Sequence, residues 1–329
     1  MADPNAGVLN IDKPQGLTSH DVVNRVRRLL GIRRVGHAGT LDPLATGVLL
    51  VCVGQATRIV EYLQTGAKTY AVSVRLGAET DTYDAEGQVT ARHPLPALSP
   101  DDLTSALAAF RGEISQRPPI YSALKRDGRP LYQLARAGAQ VETQPRPVTV
   151  FAIDLLAWEP PDLSLRLTTS PGFYVRSLAH DLGQALGCGG HVAALRRLAS
   201  GTWRAEDSVS LEELAAAGER WPAFLHGLPA ALAMLPAVVL PLPLAHRFAL
   251  GQPVALGDFP PAPGRPIEAG EHRVFVSPER FLGIGRADPE HGLLLPHKTF
   301  IDPNDLIREG REISIREGRE DREESPDSK

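Results

Sequence analysis

The sequence predicts an α+β protein built around a mixed, mostly antiparallel sheet. Three observations lead there. Segments with strand periodicity outnumber those with helical periodicity. Most of them are joined by short turns, whereas parallel neighbours need long crossovers. Strands and helices also fail to alternate strictly, which argues against a doubly wound α/β plan. At 329 residues the chain exceeds one average domain, so two are expected.

The elements follow in order. GVLNIDKPQG reads as a strand stopped by Pro14, Gln15 and Gly16. TSHDVVNRVRRLLG carries a helical stripe of Val22, Val23, Val26, Leu29 and Leu30. Thr18 and Asp21 have capping-box spacing, and Gly31 is placed to end the helix. A glycine-rich loop from Val35 runs into GVLLVCVG, a continuously apolar and therefore buried strand. ATRIVEYLQTG is a short helix. KTYAVSVRLG alternates, with Tyr70, Val72, Val74 and Leu76 on one side, and GQVTARH is its expected partner. SPDDLTSALAAFRG is a capped helix, VTVFAIDLLAWE and LSLRLTTS are strands, and FYVRSLAHDLGQALG is a helix starting near Tyr174. Past about residue 205 the chain becomes proline-rich. HRVFVS, FLGIGRA and GLLLPHKTF then give a small β-rich domain after a linker. Beyond roughly residue 310 charge dominates and few apolar residues remain, the composition of a disordered tail.

Net charge is −4, but it is unevenly spread. Residues 1–200 carry 21 basic and 18 acidic side chains, and the remainder 14 and 21. RVRRLLGIRR, KRDGR and LRRL concentrate the basic groups. Local patches decide polyanion binding more than the total does, although each could equally be a solvated helix face. No apolar run approaches a membrane span, and the N-terminus lacks a secretory pattern. The expectation is a cytoplasmic protein with Cys52 and Cys188 reduced.

Standard cofactor sites find no support. No glycine-rich phosphate loop follows a strand. DTYDAEG lacks the spacing and closing glutamate of a calcium loop, and CGGH has no partner pair at zinc spacing. Neither a cofactor nor a metal is expected. What stands out is Asp42 in VGHAGTLDPLATGVLL. Asp-Pro is ordinarily a turn. Here Gly36, Gly39 and Gly47 open unusual backbone paths, and His37 lies close by. A loop of this composition suits a site on a rigid scaffold better than a connector.

GHAGTLDPLATGVLLVCVGQATR closely resembles the catalytic loop of the TruB family of tRNA pseudouridine synthases. LNIDKPQGLTSHDVVNRVRR, KTYAVSVRLGAETDTYDAEG, PPIYSALKRDGRPLYQLARAG, GFYVRSLAHDLGQALGCGGHVAALRRLASG and GIGRADPEHGLLLPHKTF resemble further segments in the family's order, over roughly residues 8–300. The resemblance implies a pseudouridine-synthase fold in residues 1–204 with an RNA-binding insert at about 118–146. It further implies a linker or helical extension over 205–248, a PUA-like domain over 249–305 and a charged tail over 306–329. The implied activity is isomerisation of uridine 55 in the TΨC loop of tRNA by base flipping. The implied partner is the tRNA T-arm, bound by a monomer without an obligatory protein partner.

By the same resemblance Asp42 is the nucleophile or stabiliser of the detached sugar. Arg176 pairs with it and opposes the rise in pKa that burial would cause. Tyr70 stacks on the base and is a candidate proton shuttle. Tyr174 is a second aromatic of the uridine pocket, and Leu195 supplies a backbone contact. His37 fills the space left by the extruded uridine, and Asp84 hydrogen-bonds near the tyrosine. Lys13 is structural or a phosphate contact. Lys125, Arg126, Arg129 and Arg136 meet RNA phosphates, and the loop glycines let the backbone approach RNA. Two other readings share these features: a tRNA-folding chaperone, and the guide-RNA-dependent dyskerin type. The insert PPIYSALKRDGRPLYQLARAG favours the stand-alone form.

Overall fold

The computed structural model describes residues 6–122, 143–260 and 266–307, and the backbone of two short strands at Lys125–Arg126 and Arg129–Pro130. The chain divides into two compact units, Val8–Leu225 and Met1–Gly7 with His226–Lys329.

In the first unit the helices begin where local chemistry starts them. Helix α1 (Ser19–Leu30) opens on a full capping box: the Asp21 N–H donates to Thr18 Oγ1, and the Thr18 N–H to Asp21 Oδ2, each at 3.0 Å. Such a cap contributes about 1 kcal/mol. Gly31 ends the helix in the left-handed region, at φ 67°. Val22, Val23 and Val26 form its buried face. Helix α2 spans Val60–Gln64. Helix α3 (Pro100–Ala108) repeats the capping box with Ser99 and Asp102. Helix α4 (Val175–Ala185) starts after Tyr174, and α5 spans Leu211–Ala217.

The strands are β1 (Gly7–Lys13), β2 (Val35–Ala38), β3 (Thr46–Val53), β4 (Lys68–Leu76), β5 (Ala78–Thr80), β6 (Val89–Arg92), β7 (Gly112–Gln116), β8 (Lys125–Arg126), β9 (Arg129–Pro130), β10 (Arg146–Glu159), β11 (Asp162–Thr169), β12 (Gly190–Ser200) and β13 (Trp203–Arg204). The main sheet runs β1-β3-β12-β4-β11-β10-β7, with β2 on β3 and β13 on β12. Strands β3 and β12 are parallel. The pairs β12–β4, β4–β11, β11–β10 and β10–β7 are antiparallel. The expected mixed sheet is therefore present.

Several strands escape the sequence reading, among them β2 inside the glycine-rich loop, β7 and the central strand β12. One pairing also differs. GQVTARH forms β6 and pairs with β5, because β11 and β12 already occupy both edges of β4. Val48 to Val53 of β3 are fully buried. Gly47 just before them has φ 94°, and a Cβ there would lie 2.2 Å from the Arg197 carbonyl oxygen. The loop glycine thus serves close approach of β3 to β12, where the expectation was approach to RNA. Gly36 needs no left-handed backbone. Leu163, Leu165 and Leu167 of β11 sit wholly inside the core; Leu165→Ala would cost about 2–5 kcal/mol.

The first unit extends beyond the expected boundary at 204. Val209, Leu211 and Leu214 pack into its core, and Val209 exchanges backbone hydrogen bonds with Asn10 and Asp12. The second unit holds a five-stranded sheet of β14 (Ala237–Val239), β15 (Val254–Ala255), β16 (Gly270–Ser277), β17 (Arg280–Asp288) and β18 (Leu293–Thr299). Its order is β14-β16-β17-β18-β15. Helix α6 (Leu242–Ala249) buries Phe248 against Val254, Val274 and Leu294. The stretch expected as linker, 205–248, therefore carries regular elements of both units. The tail beyond residue 307 lies outside the described residues. No helix among the described residues is long and apolar enough to cross a membrane.

Candidate active site

Asp42 occupies the loop between β2 and β3, and its backbone is held from two sides. On one side the Leu41 N–H donates to Ser19 Oγ at 2.8 Å, and Ser19 Oγ lies 3.1 Å from the Leu41 carbonyl. On the other, the Pro43 carbonyl accepts from the Gly16 N–H at 2.8 Å and from Lys13 Nζ at 3.2 Å. The Ala45 N–H closes the turn onto the Asp42 carbonyl at 3.1 Å. Loop, strand end and helix start are thereby tied at one point. Such ties fix the direction in which the Asp42 side chain projects.

Arg176 is the second residue of α4 and is 5% exposed. Its Nη2 donates to Asp42 Oδ1 at 2.9 Å, and its Nε lies 2.9 Å from Oδ2. Nη2 also donates to the Tyr121 carbonyl at 2.9 Å, and Nη1 to the Thr82 carbonyl at 3.0 Å. Asp84 Oδ2 lies 3.6 Å from Nη1. Asp84 is itself oriented, its Oδ1 accepting from Thr82 Oγ1 at 2.6 Å and the Glu86 N–H at 3.1 Å. The guanidinium is thus fixed by two carboxylates and two carbonyls, which offset its desolvation.

The start of α4 is set by Gln116 of β7. Its amide oxygen accepts from the Tyr174 N–H at 2.8 Å, and its Nε2 donates to the Tyr174 carbonyl at 2.9 Å. The opposite wall comes from β4 and β12, where Tyr70 faces Arg197 and Val72 faces Leu195. Strand periodicity puts Leu195 and Arg197 on one face. Arg197 is fully buried. Its Nε donates to the Val48 carbonyl at 2.6 Å, Nη2 to Gly39 at 3.1 Å and Nη1 to Thr40 at 3.4 Å. The Tyr70 side chain also hydrogen-bonds to it.

These walls enclose a cavity of about 550 Å³, within the usual range for ligand sites. Asp42, Lys68, Tyr70, Tyr174, Arg176, Leu195 and Arg197 line it. The Asp42 carboxyl is a third exposed at its mouth. Desolvation raises its pKa above the ordinary aspartate value, the Asp84 charge adds to that, and Arg176 and Lys13 oppose it. Burial raises the Tyr174 phenol and lowers Lys13 and Lys68, each to about 8. Among the described residues no group of three His, Cys, Asp or Glu side chains is placed to hold a metal ion.

Asp42, Tyr70, Tyr174, Arg176 and Leu195, expected as site residues, meet around this one cavity. His37 is placed differently. It lies on β2 opposite Val51, outside the cavity lining, with a buried Nδ1 that has no partner. Burial lowers its pKa. Lys13 is fully buried and bonded to the Pro14 and Pro43 carbonyls. It is a structural residue, and the expectation of a phosphate contact is corrected. Lys125, Arg126 and Arg129 fall on the β8–β9 pair, and Arg136 lies outside the described residues. Sequence reasoning missed Gln116, Ser19 and Arg197 as supports. LRRL was taken as a basic patch. Read as a strand, its alternation would have sent Arg196 outward and Arg197 inward.

The fold is that of the pseudouridine synthases. A solved chain from a Cbf5-Nop10-Gar1 complex superposes with a TM-score of 0.70 at 27% identity, covering 92% of this chain and 87% of that one. A chain from an H/ACA RNP bound to a substrate RNA containing 2′-deoxyuridine gives 0.68 at 25% identity, covering 90% and 86%. The sequence narrows the class. Residues 27–175 match the TruB family pseudouridylate synthase N-terminal domain, 176–244 the tRNA pseudouridylate synthase B C-terminal domain, and 236–298 the pseudouridine synthase II TruB C-terminal region. The chain is 44% identical to tRNA pseudouridine synthase B of Burkholderia pseudomallei, over 90% of this chain and 97% of that protein. It is 45% identical to tRNA pseudouridine synthase B of Cupriavidus metallidurans, over 89% and 93%. The chain belongs to the TruB family of pseudouridine synthases and is an isomerase.

Proposed function

We propose that this chain converts uridine 55 in the TΨC loop of tRNA to pseudouridine, with Asp42 as nucleophile or sugar stabiliser. The observation that carries the reading is the Asp42–Arg176 pair at the mouth of a cavity walled by Tyr70 and Tyr174. The reaction exchanges the N1–C1′ bond for C5–C1′. The C5 hydrogen leaves as a proton and N1 gains one, so no redox partner is needed. A base inside a stacked loop cannot present N1 and C5 to a carboxylate set in a cavity, so the nucleotide must swing out. Tyr70 then stacks on it, and its hydroxyl, held by Arg197, is the proton shuttle. Tyr174 and Leu195 complete the walls.

Tyr70 as shuttle, the TΨC-loop target and the monomeric, cytoplasmic state are parts of this proposal. So is a role for the β8–β9 insert and the second unit in holding the T-arm. Support for tRNA as substrate comes from the relatives named tRNA pseudouridine synthase B, which match more closely than the chains of the Cbf5-containing complexes. The test is to incubate the purified chain alone with unmodified tRNA transcript and map pseudouridine along the product. Modification at position 55 is expected. Modification elsewhere would overturn the site assignment. Tight binding without product would favour the chaperone, and activity only with added guide RNA and proteins would favour the dyskerin type.

A further inference from the structure

Tyr83 is the one non-glycine residue with a positive φ among the described residues, at 64°. A bulky side chain in that region is strained and persists only where its surroundings hold it. The surroundings are specific. The Tyr83 ring stacks on His180, with centroids 4.0 Å apart and planes 10° off parallel. The Tyr83 carbonyl accepts the Val192 N–H at 3.0 Å, and the Ala85 N–H donates to the Val192 carbonyl at 2.9 Å.

The two residues beside Tyr83 are the ones that grip the site arginine. The Thr82 carbonyl accepts from Arg176 Nη1, and Asp84 lies against the same nitrogen. His180 is four residues after Arg176 on α4, so both project from one helix face. Successive turns of α4 therefore hold a single strained loop, one through the guanidinium and one through the imidazole ring. We propose that Tyr83 and His180 are positioning residues, whose stack keeps Thr82 aimed at Arg176 and so keeps Arg176 on Asp42. The proposal rests on the reading of Asp42 and Arg176 given above.

His180 also faces charge. Its Nδ1 is 4.0 Å from Glu79 Oε2, Glu79 Oε1 is 2.8 Å from His93 Nε2, and Asp181 and Arg117 act nearby. A role of the ring plane must be separated from a role of this charge. His180→Phe keeps the plane and removes the ring nitrogens that face these groups, whereas His180→Ala removes both. Tyr83→Gly removes the ring and relieves the backbone strain.

The experiment is steady-state tritium release from tRNA transcript labelled at C5 of uridine, using the full chain and a thermal melt of each variant. Tyr83→Gly and His180→Ala are expected to lower kcat about 10- to 100-fold, as for displaced catalytic groups, with KM within about twofold. The acid limb of kcat/KM should move to higher pH, because a loosened Arg176 opposes Asp42 protonation less. His180→Phe should restore kcat to within about threefold of the parent. Folded variants with parental kcat and an unmoved limb would overturn the proposal, and so would a His180→Phe no better than His180→Ala. If His180→Ala fails to fold, Tyr83→Gly and His180→Phe decide by the same criteria. A parent without turnover, or a fully active Asp42→Asn, would instead sink the reading of the site itself.

Discussion

Two buried arginines face the same cavity and are held in different ways. Arg197, on β12, donates to the backbone carbonyls of Val48, Gly39 and Thr40 and bonds the Tyr70 side chain. Arg176, on α4, binds the Asp42 carboxylate and leans on Asp84. The first is a strut that ties β12 to β3 and to the loop before Asp42. The second, in the proposed mechanism, holds the reactive charge. The difference teaches that partner chemistry, more than burial, separates a structural cation from a functional one. Truncating the strut should destabilise the fold, and altering the holder should slow the reaction.

The largest effect should follow Arg197→Met. It strands buried carbonyls, and a loss of about 3–5 kcal/mol in urea unfolding is expected. A loss below about 1 kcal/mol would break the comparison. Arg176→Lys comes next. A lysine cannot reproduce the two-point grip, so kcat should fall about 10²- to 10³-fold while the melt shifts little. An equal loss of stability would make the two arginines alike. Gln116→Ala should cost about 1–3 kcal/mol, since it leaves the Tyr174 N–H and carbonyl unpaired at the start of α4.

The pH dependence sharpens the Arg176 side. In the proposed mechanism Asp42 acts ionised, and its pKa is raised by desolvation. The acid limb of kcat/KM should therefore lie above the ordinary aspartate value of about 3.9. Lys13→Met should move it higher, because Lys13 lowers that pKa. Lys13 has its own signature. Its folded pKa of about 8 is below the unfolded value. The unfolded chain thus holds the proton that the fold has lost, and this residue's contribution to stability should rise from about pH 8 to 10.5. A flat or falling contribution, read as parent minus variant, would contradict its burial as a cation. Smallest is Arg196→Ala. Arg196 pairs with Asp12 but is 39% exposed, so a change below about 1 kcal/mol is expected.

Much of this was legible because its causes are local. The capping boxes at Thr18 and Ser99 and the αL glycine after α1 are written in four or five residues each. The unbroken apolar run of β3 identifies a buried strand by itself. That Asp42, Tyr70 and Arg176 would come together was legible from their motifs, and they line one cavity. β12 was hidden because its burial depends on β3 and β4, far away in the chain, and its two arginines read as surface. Lys13 stayed open between a structural role and a phosphate contact for the same reason. One acceptor of its ammonium is the Pro43 carbonyl, thirty residues on. The β5–β6 pairing could not be read from alternation, since a free partner edge is a property of the whole sheet. The Tyr83–His180 stack left no signal beyond two aromatic rings widely separated in sequence.

In the proposed mechanism the Asp42 carboxylate performs the chemistry and Arg176 holds it there. The most direct test is single-turnover tritium release from C5-labelled tRNA transcript, with excess parent protein or excess Asp42→Asn and tRNA affinity measured in parallel. A rate lowered by at least about 10⁴-fold is expected with affinity little changed, since the amide keeps the shape and removes only the charge. Release by Asp42→Asn within about tenfold of the parent would contradict it.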